Sequence, residues 1–396
     1  MRTLALSVVT SLGLFVLVAA HPALAAAQAS SASLSEPDRA RFGASTCTAS
    51  TPREIARSSA RNLRLLTASQ PAPSPSTLAV WSSAEHRLSS RAIGAELGRV
   101  QSVELTNGHN LSVLAPASGG RFLAISIGAM CEGGRARGYW CVRAIGLAAD
   151  GTPTAPPYAP TPSDQQLEVV STAPLRGPDG SPTGVALALA ARWTGADITL
   201  FRLDATGRVT AEIHPIRTEG PSEVPIGWLA SDGEQVVGLS WQSPEDEVSP
   251  FVLALGHRRQ AFARIVPAGT IHRWMRARGT DLELFYGLPR GRVRRVLVSG
   301  VDGRFVDGPP TTIEPSEPLP ADPLFPELAV RRGSLTLTRT DLRGARVGEP
   351  TTIAPASGRV VTSWSWDGSA FHVVWGTRVG RAWVISESSV TCATGP

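Results

Sequence analysis

The chain has 396 residues, a formal net charge of +5 and 42% hydrophobic residues, and all 38 of its Lys/Arg positions are arginine because lysine does not occur. A charge excess this small does not by itself define a polyanion-binding protein, and an arginine-only basic set also arises from biased genome composition. Long amphipathic helical stretches are scarce, which argues against a helical bundle.

In chain order, Arg2 precedes apolar runs at residues 4–9 and 12–18, which lead into Ala23-Leu24-Ala25-Ala26. A positive start, an apolar centre and an Ala-x-Ala end make an export peptide, so residues 1–29 are assigned to it, with cleavage near Ala25 or Ala29. The released protein keeps about 370 residues and, without Arg2, a charge of about +4. A retained membrane helix is the alternative, because the apolar run approaches the roughly 20 residues that span a bilayer. No cysteine sits beside the cleavage site, which speaks against a lipid anchor. The Ser/Ala-rich residues 28–35 offer little apolar surface to bury and open a flexible leader over 30–46.

Cysteines in an exported chain can be oxidised, and an even number permits two bridges without fixing their connectivity. Cys131 and Cys141 flank the Gly-rich stretch 132–140, the form of a hairpin tip closed by a local bridge, and Cys47 and Cys392 are then the second pair. The long link would restrict a very large denatured-state loop and contribute on the order of 4 kcal/mol. No Cys-x-x-Cys unit supports redox or metal chemistry instead.

Between the outer cysteines one pattern returns: β-branched and aromatic residues that favour strands, then Asp and Gly at turns. One unit runs from Gly184-Val185-Ala186-Leu187 through Trp193 to Leu203-Asp204-Ala205-Thr206-Gly207. The next joins residues 228–232 to 236–241 across Asp232-Gly233 and continues through Phe251-Val252-Leu253, and a third closes at Asp302-Gly303. Asp150-Gly151 and Asp367-Gly368 supply the same turn chemistry. Outer-hairpin turns expected near Gly98, Gly151, Gly207, Gly256, Gly303 and Gly344, with a last unit ending near Glu387, recur every 41 to 56 residues, close to the period of propeller blades. Seven units fit best. Six and eight are the neighbouring counts, since Gly98 and Gly256 are weak anchors and the unit around Gly333 is short. A stack of sandwich domains is the other architecture. The expected fold is all-β: one β-propeller over residues 47–392, most simply seven-bladed, with the termini meeting at a disulfide-sealed seam and a short tail at 393–396.

The final repeat, Ser365-Trp366-Asp367-Gly368-Ser369-Ala370-Phe371-His372-Val373-Val374-Trp375, resembles the strand-turn-strand motif of secreted bacterial β-propeller repeat proteins. Leu203-Asp204-Ala205-Thr206-Gly207 and Val301-Asp302-Gly303 resemble the Asp-x-x-Gly and Asp-Gly turns that follow it in that family. The likeness extends over degenerate repeats from about residue 75 to about residue 390. It departs at Gly333 and at the short Gly195-Ala196-Asp197 connection. It implies a propeller, often extracellular or surface-associated, and carries no catalytic residue across. In such a ring Trp193, Trp241, Trp366 and Trp375 are expected to fill the wedges between blades, with a glycan-binding platform as their alternative use.

The proline-rich stretches 152–162 and 309–326 and the acidic stretch 242–248 read as blade connections, the places where partner recognition varies. His214, His257, His272 and His372 form no close His-x-x-x-His pair. Asp232, Asp281, Glu283 and Asp367 are the carboxylates a channel-centred hydrolase would use. Asp232 and Asp367, however, sit in Asp-Gly turns, where a carboxylate bonds local N–H groups. Gly119-Gly120 and Gly133-Gly134 lack the strand-helix setting of a phosphate loop, and no serine stands in a Gly-x-Ser-x-Gly elbow. The densest basic run, Arg290-Gly291-Arg292-Val293-Arg294-Arg295, places Arg292 and Arg294 on one strand face and Val293 and Arg295 on the other. It reads as a solvated edge or as a binding surface for phosphate, sulfate or acidic glycan. Export and sparse aromatic interleaving oppose a nucleic-acid partner.

The sequence points to a secreted, periplasmic or surface-exposed interaction module that recognises a protein or carbohydrate through blade loops. It is expected to be a monomer, with no catalytic, cofactor or metal residue assigned. A channel-centred glycoside hydrolase or polysaccharide lyase is the enzymatic alternative, and a structural surface or assembly protein is the third.

Overall fold

The computed structural model of the chain describes residues 45–394 apart from 71–74, 85–86, 105–109, 130–139, 158–166, 177–181, 192–197, 217–225, 233–235, 243–247, 255–259, 263–270, 279–280, 288–292, 300–303, 305, 308–310, 314–324, 341–345 and 347. After β1 (Ser45–Ala49) and β2 (Arg53–Ser58), a first sheet holds β3 (Leu65–Gln70), β4 (Ser76–Ala84), β5 (Arg87–Ile93) and β6 (Gln101–Glu104). A second holds β7 (Asn110–Ala117), β8 (Arg121–Ala129) and β9 (Trp140–Leu147). The third is β10 (Leu167–Arg176), β11 (Pro182–Ala191), β12 (Ile198–Leu203) and β13 (Val209–Ile216). The fourth is β14 (Ile226–Asp232), β15 (Val236–Gln242), β16 (Val248–Ala254) and β17 (Gln260–Phe262). The fifth is β18 (Ile271–Arg278), β19 (Asp281–Gly287), β20 (Val293–Ser299) and β21 (Thr311–Ile313). The sixth is β22 (Phe325–Arg331), β23 (Ser334–Thr340) and β24 (Thr351–Pro355). The last is β25 (Val360–Trp366), β26 (Ala370–Val379) and β27 (Ala382–Thr394), and β27 also pairs with both β1 and β2. Among the described residues these are seven antiparallel sheets.

Within each sheet strands pair in sequence order, except that in the last sheet β27 also takes β1 and β2, and the first, second, third, sixth and last sheets pack on one another through their faces. Alternation along a strand sends successive side chains to opposite faces, and both faces are buried here. On β4, Val80 joins Leu111, Phe122 and Ile145 of the second sheet, while Ala79 and Trp81 join Val374, Trp383 and Ile385 of the last. On β8, Phe122 and Ala124 face the first sheet, and Leu123 and Ile125 face Val185, Leu187 and Phe201 of the third. Phe371, Val373 and Trp375 of β26 meet Leu335, Leu337 and Ile353 of the sixth sheet. This double burial explains the uninterrupted apolar runs that read as strands. It fades outwards: Leu78 and Ala79 of β4 are 0% exposed, whereas β6 alternates half-buried and exposed residues.

The first strands of most successive sheets stand beside one another. β3 packs against β25 and β7, β10 against β7 and β14, β14 against β18, and β22 against β25. That succession is the inner-strand order of a propeller-like arrangement and not of separate sandwiches. Trp366 and Trp375 occupy the expected wedge between the sixth and last sheets. Trp193 and the side chain of Trp241 lie outside the described residues.

The closure brings the two ends of the chain together. Cys47 stands opposite Cys392 in the β1–β27 ladder, and the two form a disulfide with 4.0 Å between their Cα atoms. Among the described residues the β1–β27 ladder runs from Ser45 opposite Thr394 to Ala49 opposite Val390. Glu387, expected at the end of a unit, lies in the middle of β27. Cys131 lies outside the described residues, as do Gly256, Gly303 and Gly344. Gly98 sits in the β5–β6 connection and Gly207 in the β12–β13 connection, as outer-hairpin turns.

Candidate functional site

The turn residues singled out in the sequence use their carboxylates as turn chemistry requires. Asp150 Oδ1 accepts the Thr152 N–H at 2.9 Å, and Asp204 Oδ1 accepts the N–H groups of Thr206 and Arg208 at 2.8 and 3.0 Å. Asp367 Oδ1 accepts the N–H groups of Ser369 and Ala370 at 2.7 and 2.8 Å. Gly151, Gly207 and Gly368 take φ of 87°, 86° and 101°. Asp232 ends β14, and Gly233, Asp302 and Gly303 lie outside the described residues.

Asp367 does more than close its turn. Its second oxygen, Oδ2, lies 2.8 Å from Nε2 of His372, on the other strand of the same hairpin. The antiparallel register sets His372 opposite Ser389 and Val374 opposite Glu387, so His372 and Glu387 are diagonal neighbours on one face, with Nδ1 3.6 Å from Glu387 Oε1. Glu387 in turn faces Arg53 of β2, whose Nε donates to Oε2 at 2.7 Å. Arg53 also donates to the carbonyls of Ala95, at 3.1 Å, and of Gly94. The chain Asp367–His372–Glu387–Arg53 thus runs from the last sheet across to the segment that follows β5 in the first.

The charges of the four groups balance. Burial would push Asp367 up, but His372 and the N–H groups of Ala370 and Ser369 hold it far below the usual carboxylate range. Glu387, 3% exposed, is likewise opposed by burial, and His372 and Arg53 nevertheless lower it. Burial opposes protonation of His372, yet its bond to Asp367 and the nearby Glu387 carboxylate raise it to about 9. Two cations and two carboxylates form a neutral quartet, and that compensation lets so buried a carboxylate stay ionised.

The quartet floors an open cleft of about 570 Å³, walled by Ser50, Thr51 and Ser389 on the closing side and by Ser76, Thr77 and Ile93 on the first sheet. The arrangement differs from the two-carboxylate site of a hydrolase. A glycosidase needs one carboxyl that keeps its proton until the leaving group takes it, and both carboxyls here are held ionised. Of the two nitrogens of His372, Nε2 is bonded to Asp367 at 2.8 Å, while Nδ1, buried and without a hydrogen bond, lies 3.6 Å from Glu387 Oε1. Among the described residues no catalytic motif is assembled, and no group of three His, Cys, Asp or Glu side chains is arranged to hold a metal ion. Among the same residues no helix is long and apolar enough to cross a membrane.

The other candidates lie apart from the cleft. Glu283, fully buried, is ion-paired with Arg295 between β19 and β20, so Arg295 answers an internal carboxylate. Val293 is buried, and Arg294 is half-buried on the opposite face. Arg290 and Arg292 lie outside the described residues. Arg53 carries no motif of its own in the sequence, and Glu387 is expected there only as the end of a unit. The spacing Asp-Gly-x-x-x-His across a tight turn was the one local sign of the pairing, since it sets the two side chains near each other on adjoining strands.

No family model matches the chain, and no curated protein matches it. Solved structures do. A protein of unknown function from Bacteroides caccae is 12% identical over 67% of this chain and 89% of its own, with a TM-score of 0.35. BamB from Moraxella catarrhalis is 12% identical over 87% of this chain and 100% of its own, with a TM-score of 0.38. TolB from Acinetobacter baumannii is 12% identical over 83% and 82%, with a TM-score of 0.32.

Proposed function

We propose that the chain is an exported interaction module, a seven-bladed propeller of residues 47–392 that displays blade connections to a protein or carbohydrate partner outside the cytoplasm. The carrying observation is the quartet, in which Asp367 holds His372 and Glu387 holds Arg53. Both carboxylates at the cleft are engaged by a neighbouring cation, and serine and threonine side chains line the rest of it. Sheets buried on both faces provide the rigid frame on which variable connections become recognition surfaces. The export peptide at 1–29, the leader from residue 30, the bridge Cys131–Cys141 and recognition by the run Arg290–Arg295 belong to the same reading, as does a monomeric state.

The test is a screen of the full chain against arrays of extracellular proteins and of glycans, with turnover followed on every partner bound. Saturable binding without conversion is expected. Conversion of a glycan that disappears in Asp367→Asn or Glu387→Gln would establish the hydrolase in place of the module.

A further inference from the structure

The end of the last sheet opposite the Asp367 turn carries a concentration of arginine. The β26–β27 hairpin has the tip Arg378-Val379-Gly380-Arg381, and the chain enters β25 from Arg359, whose carbonyl oxygen accepts the N–H of Arg378. All three arginines are exposed, and Val379 between them is 61% exposed. The guanidinium carbons of Arg359 and Arg378 each lie 5.8 Å from the centroid of Trp383, itself fully buried. Trp383 is also the link to the N-terminal segment. It stands opposite Ser58 in the β2–β27 ladder, and its indole N–H donates to the carbonyl of Ala60 at 2.9 Å. The segment so held brings Arg57, Arg61 and Arg64, all exposed, to the same end of the sheet.

Glu54 neutralises Arg57 at 2.8 Å. Among the described residues no ion pair joins Arg61, Arg64, Arg359, Arg378 or Arg381 to a carboxylate. A balance of +5 over the whole chain hides this concentration, because charge elsewhere is mixed in sign.

We propose that this hairpin end binds an acidic polysaccharide of the polyuronate class, and the inference rests on the interaction-module reading above. The guanidinium group matches a carboxylate through two parallel N–H donors, and contact with Trp383 limits the orientations of Arg359 and Arg378 before a ligand arrives, which lowers the ordering cost. A polymer with a carboxylate on each residue can meet several spaced, fixed cations together. Val379 and the arginine stems offer apolar contact to the C–H face of a sugar ring. A bilayer would reward apolar area for insertion, and the tip provides a single valine. An acidic peptide is ordinarily held along a sheet edge or in a groove, and a hairpin tip is neither.

Binding of the full chain to polygalacturonate, with dextran as the neutral control, is measured for three proteins. These are the wild type, the patch variant Arg359→Gln/Arg378→Gln/Arg381→Gln, and an equal-charge variant, Arg99→Gln/Arg208→Gln/Arg346→Gln, at exposed arginines elsewhere. The patch variant is expected to bind about tenfold more weakly, the equal-charge variant to bind as the wild type does, and wild-type binding to weaken as salt rises from about 0.05 to about 0.5 M. Melting temperatures establish folding, and Arg381→Glu, at the exposed tip, gives the same readout if the triple variant unfolds. Equal loss in both triple variants would reduce the effect to net charge and overturn the proposal. So would tighter binding to phosphatidylglycerol vesicles or to polyglutamate than to polygalacturonate, or no polygalacturonate binding at all. Failure here leaves the partner screen to judge the module reading separately.

Discussion

Asp367 and His372, five residues apart on the two arms of one hairpin, hold each other at 2.8 Å, while the other carboxylate oxygen of Asp367 closes the turn between them. One side chain therefore fixes both the hairpin and the protonation state of the histidine next to the cleft.

This pairing makes stability depend on pH. His372 titrates at about 9 in the folded protein, against about 6.5 for a free histidine. Its stabilising contribution is complete below about 6.5 and is lost as pH climbs through 9, with a span of up to about 3 kcal/mol. Asp367 and Glu387 are lowered, so their contributions are present above the ordinary carboxylate range of about 4 and are lost as pH falls below it through their depressed folded values. His372→Gln should flatten the alkaline limb of unfolding free energy measured by urea titration. An alkaline limb that keeps its slope in the variant would show that another group controls it.

Removing the seam bond in Cys47→Ser/Cys392→Ser should lower stability by about 4 kcal/mol, because the bond spans a separation of 345 residues and its main action is on the unfolded chain. Guanidinium unfolding of the variant and of the oxidised wild type measures the difference. A loss below about 1 kcal/mol would mean that the β1–β27 and β2–β27 ladders, with Arg53 and Trp383, hold the seam unaided.

The β22–β23 turn contains the one non-glycine residue with positive φ among those described, Arg332 at 50°, followed by Gly333 at 76°. A two-residue hairpin turn of this form asks for Asn or Gly at the first position. Arg332→Asn should therefore raise stability by about 0.5 kcal/mol, seen as a small increase in melting temperature with unchanged strand content.

Gly184 faces the opposite demand. A Cβ there would run into the carbonyl oxygen of Leu203 on the neighbouring strand, with the Asp204 backbone just beyond. Backbone cannot rotate aside as a side chain can, so Gly184→Ala should cost about 2 kcal/mol. A urea midpoint equal to that of the wild type would mean that β11 and β12 separate more readily than their shared ladder suggests.

The architecture was legible because turn chemistry is local. Asp204 and Asp367 carry in sequence the donors they bind in space, and the apolar runs on β4, β8 and β26 announce strands buried on both faces. The seam cysteines were legible from their positions alone. The quartet was not. Arg53 and Glu387 are separated by 334 residues, and only the register of β2 on β27 sets them opposite one another. In sequence His372 reads only as one of four histidines without a metal-binding spacing, and Asp367 as a turn residue or a channel carboxylate. The second oxygen carried the connection. The arginine end was hidden for the same reason: residues 57–64, 359 and 378–381 show no cluster until the ring closes.

Because β27 receives β1 on one half of its length and β2 on the other, the first two strands have no ladder to join until the last strand has been made. Throughout synthesis they must wait as unpaired chain while sheet after sheet forms between them, and the final contacts are also those of highest sequence separation. Formation of the Cys47–Cys392 bond thus reports that β1 has reached β27. A chain that stops short of β27 can fold its central sheets and still lack the cleft, the seam and the arginine end together.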